Sequence, residues 1–370
     1  MAHFLLILLY IFIGIVVIQV IYYLFIFGKF SFAKAQENTT KHVSVSVIVC
    51  AKNEEENVKK FIPLLAAQNY SNYEIILIDD ASSDETLEVF EDFEKQYANI
   101  KLVKVANNEA FWGNKKFALT LGIKAATKEY LLFIDADCYP NSENWITEMS
   151  SHFTLHKTIV LGYGAYEKET GFLNKLIRFE TLLTATQYFA WAKIGKPYMG
   201  VGRNLGYKKD EFFKVNGFIN HMKLRSGDDD LFINEAANKQ NTAIAYNPES
   251  FTYSKGKKTF GDWIMQKRRH VSTAKYYKFF DKTQLGIFYF SQLLFLLLPI
   301  VLLAFQFQWI IVSLIIVFRY LVAWISLGYS AGKLKEKDVM YWFPIFEIIL
   351  IFTQLTVFIR NIFSKPVTWK

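Results

Sequence analysis

The residues with the clearest chemical potential are Asp135 and Asp137, which close the stretch Tyr-Leu-Leu-Phe-Ile-Asp-Ala-Asp-Cys at 130–138. The apolar run before them reads as a buried strand, and alternation along an extended chain puts both carboxylates on one side of its end. Open α/β sheets place their ligands at such ends. Hard cations such as Mg²⁺ or Mn²⁺ take oxygen donors, commonly one or two carboxylates completed by the phosphates of a substrate. An isolated Asp-x-Asp triplet is more often a solvated strand end, so its meaning depends on its surroundings.

Those surroundings carry further polar groups at the ends of expected elements. Val43–Cys50 reads as a strand, and Asn53-Glu54-Glu55-Glu56-Asn57 opens a helix with acids at the favourable end of its dipole. Tyr73–Ile78 is a second strand ending in Asp79-Asp80, with capping residues Ser83–Thr86 beginning the next helix. Ile100–Val105 and Tyr130–Ile134 are the third and fourth strands, and the rhythm of residues 43–250 argues for an α/β domain on a mostly parallel sheet. Gly113-Asn114-Lys115-Lys116 precedes a helix expected over Phe117–Ala126 and offers a lysine to a phosphate, although a lone lysine is more often a solvated surface group.

The second half of this region is less regular. Gly171–Lys193 holds an amphipathic stretch that suits either a helix on a membrane surface or a buried core helix. Ser226-Gly227-Asp228-Asp229-Asp230-Leu231 sets three carboxylates before a helix running through Phe232 and Ala236. Adjacent like charges cost energy unless solvated or used, the plain alternative being an N-terminal cap. Gln266 and Arg269 are three apart, hence on one helical face, and arginine's planar fork suits a diphosphate.

The chain of 370 residues is 52% hydrophobic and 17% aromatic, with its apolar residues gathered in blocks at both ends. Phe4–Phe27 carries no charge and exceeds the roughly 20 residues that span a bilayer. With no basic segment before it and no small-residue cleavage site after it, segment 1–28 reads as an uncleaved anchor. Blocks at about 285–305, 308–329 and 339–363 are also of spanning length, which makes 285–363 a membrane region and 42–280 the domain between. Lys29, Lys34 and Lys41 follow the first block and Lys333, Lys335 and Lys337 precede the last, so the positive-inside rule assigns the domain to the cytoplasm. Arg360, Lys365 and Lys370 oppose this if the last block crosses; an interfacial or re-entrant course is the alternative. Arg319 and Glu347 fall at mid-depth of consecutive blocks, where an ion pair inside the bundle is expected.

A net charge of +8 and a pI near 9.1 suit an anionic leaflet and phosphorylated substrates. The scattered basic residues and the lack of a recognition motif argue against nucleic acid. Cys50 and Cys138 lack zinc spacing and read as reduced structural residues.

In order and spacing these residues resemble the family 2 glycosyltransferases, inverting enzymes with a GT-A (Rossmann-like) nucleotide-binding fold, over about residues 43–275. Val-Ser-Val-Ile-Val-Cys-Ala-Lys-Asn-Glu-Glu at 45–55 is similar to the strand and loop that hold the nucleotide base, which implicates Ala51, Asn53 and Glu54. Ile78–Asp84 looks like the family's Asp-Asp-x-Ser segment, with Asp80 favoured for the base and ribose and Asp79 beside it. Lys115 falls in the Gly-Lys-rich helix start, with Asn114 inserted. Asp135 and Asp137 match the metal and diphosphate motif. Asp228 keeps the place of the catalytic base, while Gly227 stands where Glu is common. Gln266-Lys267-Arg268-Arg269-His270 resembles the Gln-x-x-Arg-Trp of polymerising members, with His270 for Trp.

The resemblance implies Mg²⁺- or Mn²⁺-dependent transfer from a UDP- or GDP-sugar by a multi-pass protein of the plasma (inner) membrane. Asp135 and Asp137 would serve the cation, Lys115, Asp135, Gln266 and Arg269 the donor, and Asp228 the acceptor hydroxyl. Phe260, Trp263, Tyr276, Tyr277, Phe279 and Phe280 are expected as an interfacial aromatic belt, which favours a lipid-linked or growing-glycan acceptor. A processive polysaccharide synthase, disfavoured by His270 and the few C-terminal spans, and an inactive membrane scaffold are the alternatives.

Overall fold

The structure, a computed structural model, describes residues 1–34, 43–106, 115–224 and 226–364. Its main sheet holds seven strands in the order β3-β2-β1-β4-β8-β6-β9, where β1 is Val45–Ala51, β2 Tyr73–Asp79, β3 Ile100–Lys104, β4 Tyr130–Phe133, β6 Ile159–Leu161, β8 Leu205–Lys208 and β9 Thr242–Ile244. A small second sheet joins β5 (Cys138–Pro140), β10 (Thr252–Ser254) and β7 (Gly164–Tyr166). Strands β1 to β4 pair in parallel, and β8 runs antiparallel to both its neighbours, β4 and β6.

The apolar runs explain the layering. Val45, Val47 and Val49 pack into one core with Val58, Ile62 and Trp145, while Ile48 between them joins the opposite core with Leu119, Ile123 and Leu176. A strand covered by helices on both faces needs such a near-continuous apolar sequence. Register then places the site: Ala51 pairs with Asp79 and Ile48 with Phe133, so the loops leaving β1, β2 and β4 open side by side. β4 stops at Phe133, one residue short of the expected Ile134, and Asp135 and Asp137 lie in the loop that follows. Their carboxylates therefore converge through a turn rather than by strand alternation.

Four helices are long and apolar enough to cross a membrane: Ala2–Ser31, Phe279–Ala304, Trp309–Lys333 and Lys337–Phe363. The mid-depth charges pair as expected. Arg319 Nη1 donates to Glu347 Oε2 at 2.7 Å, its Nη2 to Oε1 and its Nε to Gln19 Oε1, and both charged residues are almost fully buried. Gln292 and Tyr23 also donate to Glu347, so a single network draws on all four helices.

Between these helices and the sheet lies Phe172–Ile194, which takes the second of its two expected courses: it is a buried layer on which the apolar helices rest. Phe30 of the first helix packs on its Phe189, and Phe280 of the second packs on its Trp191. Its buried Arg178 donates to Glu336 at 2.9 Å and to Asp338 at 2.9 and 2.6 Å, just before the last apolar helix. That last helix touches the α/β part at both ends, through Trp342 against Phe172 and through Asn361 and Ser364 against Arg268. Such a course follows the domain's face instead of leaving it. The aromatic belt is only partly as expected: Phe260, Tyr276, Phe279 and Phe280 are exposed, whereas Trp263 and Tyr277 are core residues.

Candidate active site

Lys115 is the hinge of the site. It is the first residue of the Lys115–Ala125 helix and is buried, which for an unpaired ammonium would be costly. Two carboxylates resolve this: Nζ lies 2.7 Å from Asp135 Oδ1 and 3.3 Å from Asp228 Oδ2. Residues from the middle and the end of the domain are thus clamped together. Against burial, Asp135 and Asp228 hold the Lys115 ammonium well above its usual pKa. Lys115, Asp135, Asp228, Asp229, Cys50 and Gly202 border a cavity of about 20 Å³, room for one water. Gly113 and Asn114, from the same expected motif, lie outside the described residues.

The neighbouring Lys116 has another task. Its Nζ donates to the carbonyls of His221 (2.8 Å), Leu224 (3.0 Å) and Ser226 (2.7 Å), fastening the segment that leads into the acidic triplet. Burial pushes its pKa down to about 8.

The three consecutive carboxylates are separated by their surroundings. Burial opposes ionisation of Asp228, but Lys115 and then Lys116 hold its carboxyl below the ordinary carboxylate range. Asp229 is pushed up to about 8 by burial and by the charges of Asp228 and Asp230, and it accepts the N–H of Gly202 and of Asp230, both at 2.7 Å. Asp230 accepts from Tyr277 (2.7 Å) and Thr273, with its carboxyl raised mainly by burial. Asp229 and Asp230 are thus held by the surrounding backbone and hydroxyls, and Asp228 is the member whose ionised form its neighbours favour. The departure at Gly227 has a backbone cause. Its φ of +98° is a conformation that glycine takes freely, and a Cβ there would sit 2.5 Å from Leu231 Cδ1, so glutamate does not fit.

Asp135, Asp137 and Cys138 bring one ligand atom each within 4.8 Å of one another. Cys138 Sγ donates to Asp137 Oδ1 at 3.4 Å, and burial holds the thiol far above its usual pKa, which with the softness of sulfur makes it the poorest of the three donors for a hard cation. The remaining donors are two carboxylates, a set that fits a hard cation finished by phosphate oxygens. They are not equivalent: Asp135 is bound to Lys115, whereas Asp137 is exposed, and desolvation by the surrounding protein, then Asp135 and Glu54, raises its pKa.

The nucleotide-side residues also gather. Asn53 Oδ1 accepts the N–H of Ser83 at 2.8 Å, linking the loop after β1 to the loop after β2, and Glu54 Oε2 accepts from Asn57 at 2.6 Å. Asp79 receives the N–H of Ser82 at 3.3 Å, and the Ala51 carbonyl accepts the Asp80 N–H at 2.9 Å. Asp80 Oδ2 is buried with no hydrogen-bond partner, and burial raises its carboxyl. A buried polar atom without a partner is rare in a folded protein. Gln266 reaches Tyr166 OH at 3.4 Å, and Arg269 follows on the same helix, Phe260–Val271.

Sequence reasoning passed over Lys116, Arg203, Tyr166, Thr273 and the bonding role of Tyr277. Arg203 lies within Tyr-Met-Gly-Val-Gly-Arg-Asn at 198–204, where two glycines flank the approach to an arginine, a signal visible in the sequence. The others act through contacts far away along the chain.

Fold and site together define an α/β domain with a carboxylate-rich ligand cleft at the carboxyl ends of its parallel strands. Residues 46–225 match Glycosyl transferase family 2, so this part of the chain is a family 2 glycosyltransferase domain. It is 25% identical over 225 residues to the poly(ribitol-phosphate) beta-glucosyltransferase of Bacillus spizizenii, covering 56% of this chain and 35% of that protein. It is 34% identical over 121 residues to the poly-beta-1,6-N-acetyl-D-glucosamine synthase of Staphylococcus epidermidis, covering 32% of this chain and 28% of that protein. The matches thus span about a third of the length of these curated relatives. Among solved structures, the mannosyltransferase PcManGT from Pyrobaculum calidifontis, in complex with GDP-Man and Mn²⁺, shares the fold with a TM-score of 0.57 and 15% identity over 90% of this chain and 98% of that one.

Proposed function

We propose that the protein is a membrane-bound inverting glycosyltransferase that moves a sugar from a UDP- or GDP-sugar to a hydroxyl of a lipid-linked or glycan acceptor, with its domain on the cytoplasmic side. The observation that carries this reading is Lys115, which ties the ionised Asp228 to the Asp-x-Asp loop. A base and a diphosphate site within one cleft are what a single displacement at an anomeric carbon requires. The relatives fit it, one being a poly(ribitol-phosphate) beta-glucosyltransferase and the other a poly-beta-1,6-N-acetyl-D-glucosamine synthase, as does the GDP-Man and Mn²⁺ of PcManGT.

In this reading the loops after β1 and β2 seat the nucleotide. Ala51, Asn53 and Glu54 frame the base, Asp80 receives a donor through its open oxygen, and Asp79 holds the turn. Asp137, with Asp135, would hold Mg²⁺ or Mn²⁺, which when bound offsets the charge growing on the departing diphosphate. Gln266 and Arg269 flank the donor from the Phe260–Val271 helix. Asp228 accepts the acceptor hydroxyl's proton as that oxygen attacks opposite the leaving group, so the configuration inverts. Its low pKa keeps it ready at neutral pH. The apolar helices set the cleft beside the membrane, where lipid-linked acceptors reside.

The test is turnover of a panel of UDP- and GDP-sugars by the detergent-purified protein with Mn²⁺, against Asp228→Asn and Asp137→Asn. Loss of a positioned base removes about 10²–10⁴-fold in rate. Wild-type turnover lost in both variants is expected, with the transferred sugar inverted. A folded wild type that turns over no donor, or Asp228→Asn at full rate, refutes the assignment.

A further inference from the structure

The turn Gly202–Asn204 carries a cation for which the reading above has no use. Its backbone is fixed on both sides. Gly202 N–H donates to Asp229 at 2.7 Å, and Asn204 accepts from Trp145 Nε1 at 3.2 Å while donating to the carbonyls of Tyr163 (2.9 Å) and Ser250 (2.7 Å). Between them Arg203 lays its guanidinium 4.3 Å from the centre of the Tyr166 ring. Gly164 makes the slot for it: a Cβ there would stand 2.3 Å from Arg203 Nε. The side chain is thus oriented before any ligand arrives.

It is also unspent. Arg203 Nε is buried with no hydrogen-bond partner, and among the described residues Arg203 makes no salt bridge. Nearby cations are committed: Lys115 to Asp135 and Asp228, Lys116 to three carbonyls, Lys267 to Glu180, and Arg268 to Asn361 and Ser364. The turn reaches the Asp-x-Asp loop, since Gly202 borders the same cavity as Lys115, Asp135 and Asp228. A stacked arginine with an uncompensated charge beside a candidate cation site suits a phosphate oxygen.

We propose that Arg203 binds the diphosphate of the donor, an assignment that rests on the transferase reading. The guanidinium supplies fixed positive charge opposite the metal site, and Tyr166, which also receives Gln266, couples it to the Phe260–Val271 helix.

The experiment is titration of UDP and GDP, each with Mn²⁺, into the detergent-solubilised full chain, for wild type, Arg203→Ala, Arg203→Lys and Gly164→Ala. For whichever diphosphate wild type binds, Kd should rise about tenfold or more in Arg203→Ala, as for loss of a charged hydrogen bond. It should rise less in Arg203→Lys, and also in Gly164→Ala, which keeps the charge but displaces it. Thermal melting separates these effects from misfolding; if Arg203→Ala does not fold, the other two variants decide. Unchanged Kd in folded variants overturns the proposal. So does unchanged Kd with a raised KM for the acceptor, which would hand Arg203 to an anionic acceptor. A wild type that binds neither diphosphate overturns the transferase reading and this assignment together.

Discussion

The protein buries charge in two places and resolves it in two ways. Among the apolar helices, Arg319 meets Glu347 through two N–H groups, Gln19 occupies its Nε, and Tyr23 and Gln292 complete the carboxylate. In the cleft, the five carboxylates Asp135, Asp137, Asp228, Asp229 and Asp230 outnumber the close cations among the described residues, Lys115, Lys116 and Arg203, and Asp80 keeps an oxygen with no partner. A closed ledger of charge marks structure, although in hydrogen bonds Gln19 Nε2 is buried there with no partner. An open one marks a place where a ligand's charges are to be added. Surplus acid is tolerable in the cleft because some carboxyls stay protonated, as Asp229 does at neutral pH.

The contrast can be broken most forcefully in the membrane region. Arg319→Met or Glu347→Gln leaves a buried charge uncompensated and should cost about 3–5 kcal/mol of stability. Replacing both, Arg319→Met with Glu347→Leu, should cost less than either single change, read from unfolding midpoints in detergent. Additive losses would mean that the pair is not a unit.

In the cleft, the same logic predicts a change in titration rather than collapse. Lys115→Met removes the cation that keeps Asp228 ionised, so the acid limb of kcat/KM should move upward by about one to three pH units. An unmoved limb would separate Asp228 from the rate.

The smallest effect concerns Asp229. Its folded-state pKa, about 8, lies above the unfolded value of 3.8, so the unfolded chain releases this proton first as pH rises. The stability it contributes is complete below about pH 4 and is lost as pH climbs to about 8. Wild type should lose thermal stability from pH 5 to 8 more steeply than Asp229→Asn. Equal slopes would show that Asp229 ionises normally.

What the sequence made legible follows from range. The loop after β1, Asp79-Asp80 and Asp135-Ala136-Asp137 each sit beside the strand that presents them, so short patterns placed them correctly. The Arg319–Glu347 pair was legible because few partners exist for a charge inside a membrane. The different fates of Asp228, Asp229 and Asp230 were hidden, because they depend on Lys115, Gly202, Thr273 and Tyr277, brought near only by folding. Composition also misled: Trp263 and Tyr277 are core residues, though their aromatic neighbours stay outside. Gly227 looked like a defect in a motif until its backbone angle supplied the reason.

The most direct test of the central claim is electron paramagnetic resonance of Mn²⁺ titrated with the detergent-purified full chain, with and without UDP or GDP. An open cleft predicts Mn²⁺ binding that tightens when a nucleoside diphosphate is present, is lost in Asp137→Asn, and persists in a folded Arg319→Met, Glu347→Leu variant. Binding that is indifferent to the nucleotide, or that survives Asp137→Asn, would contradict it.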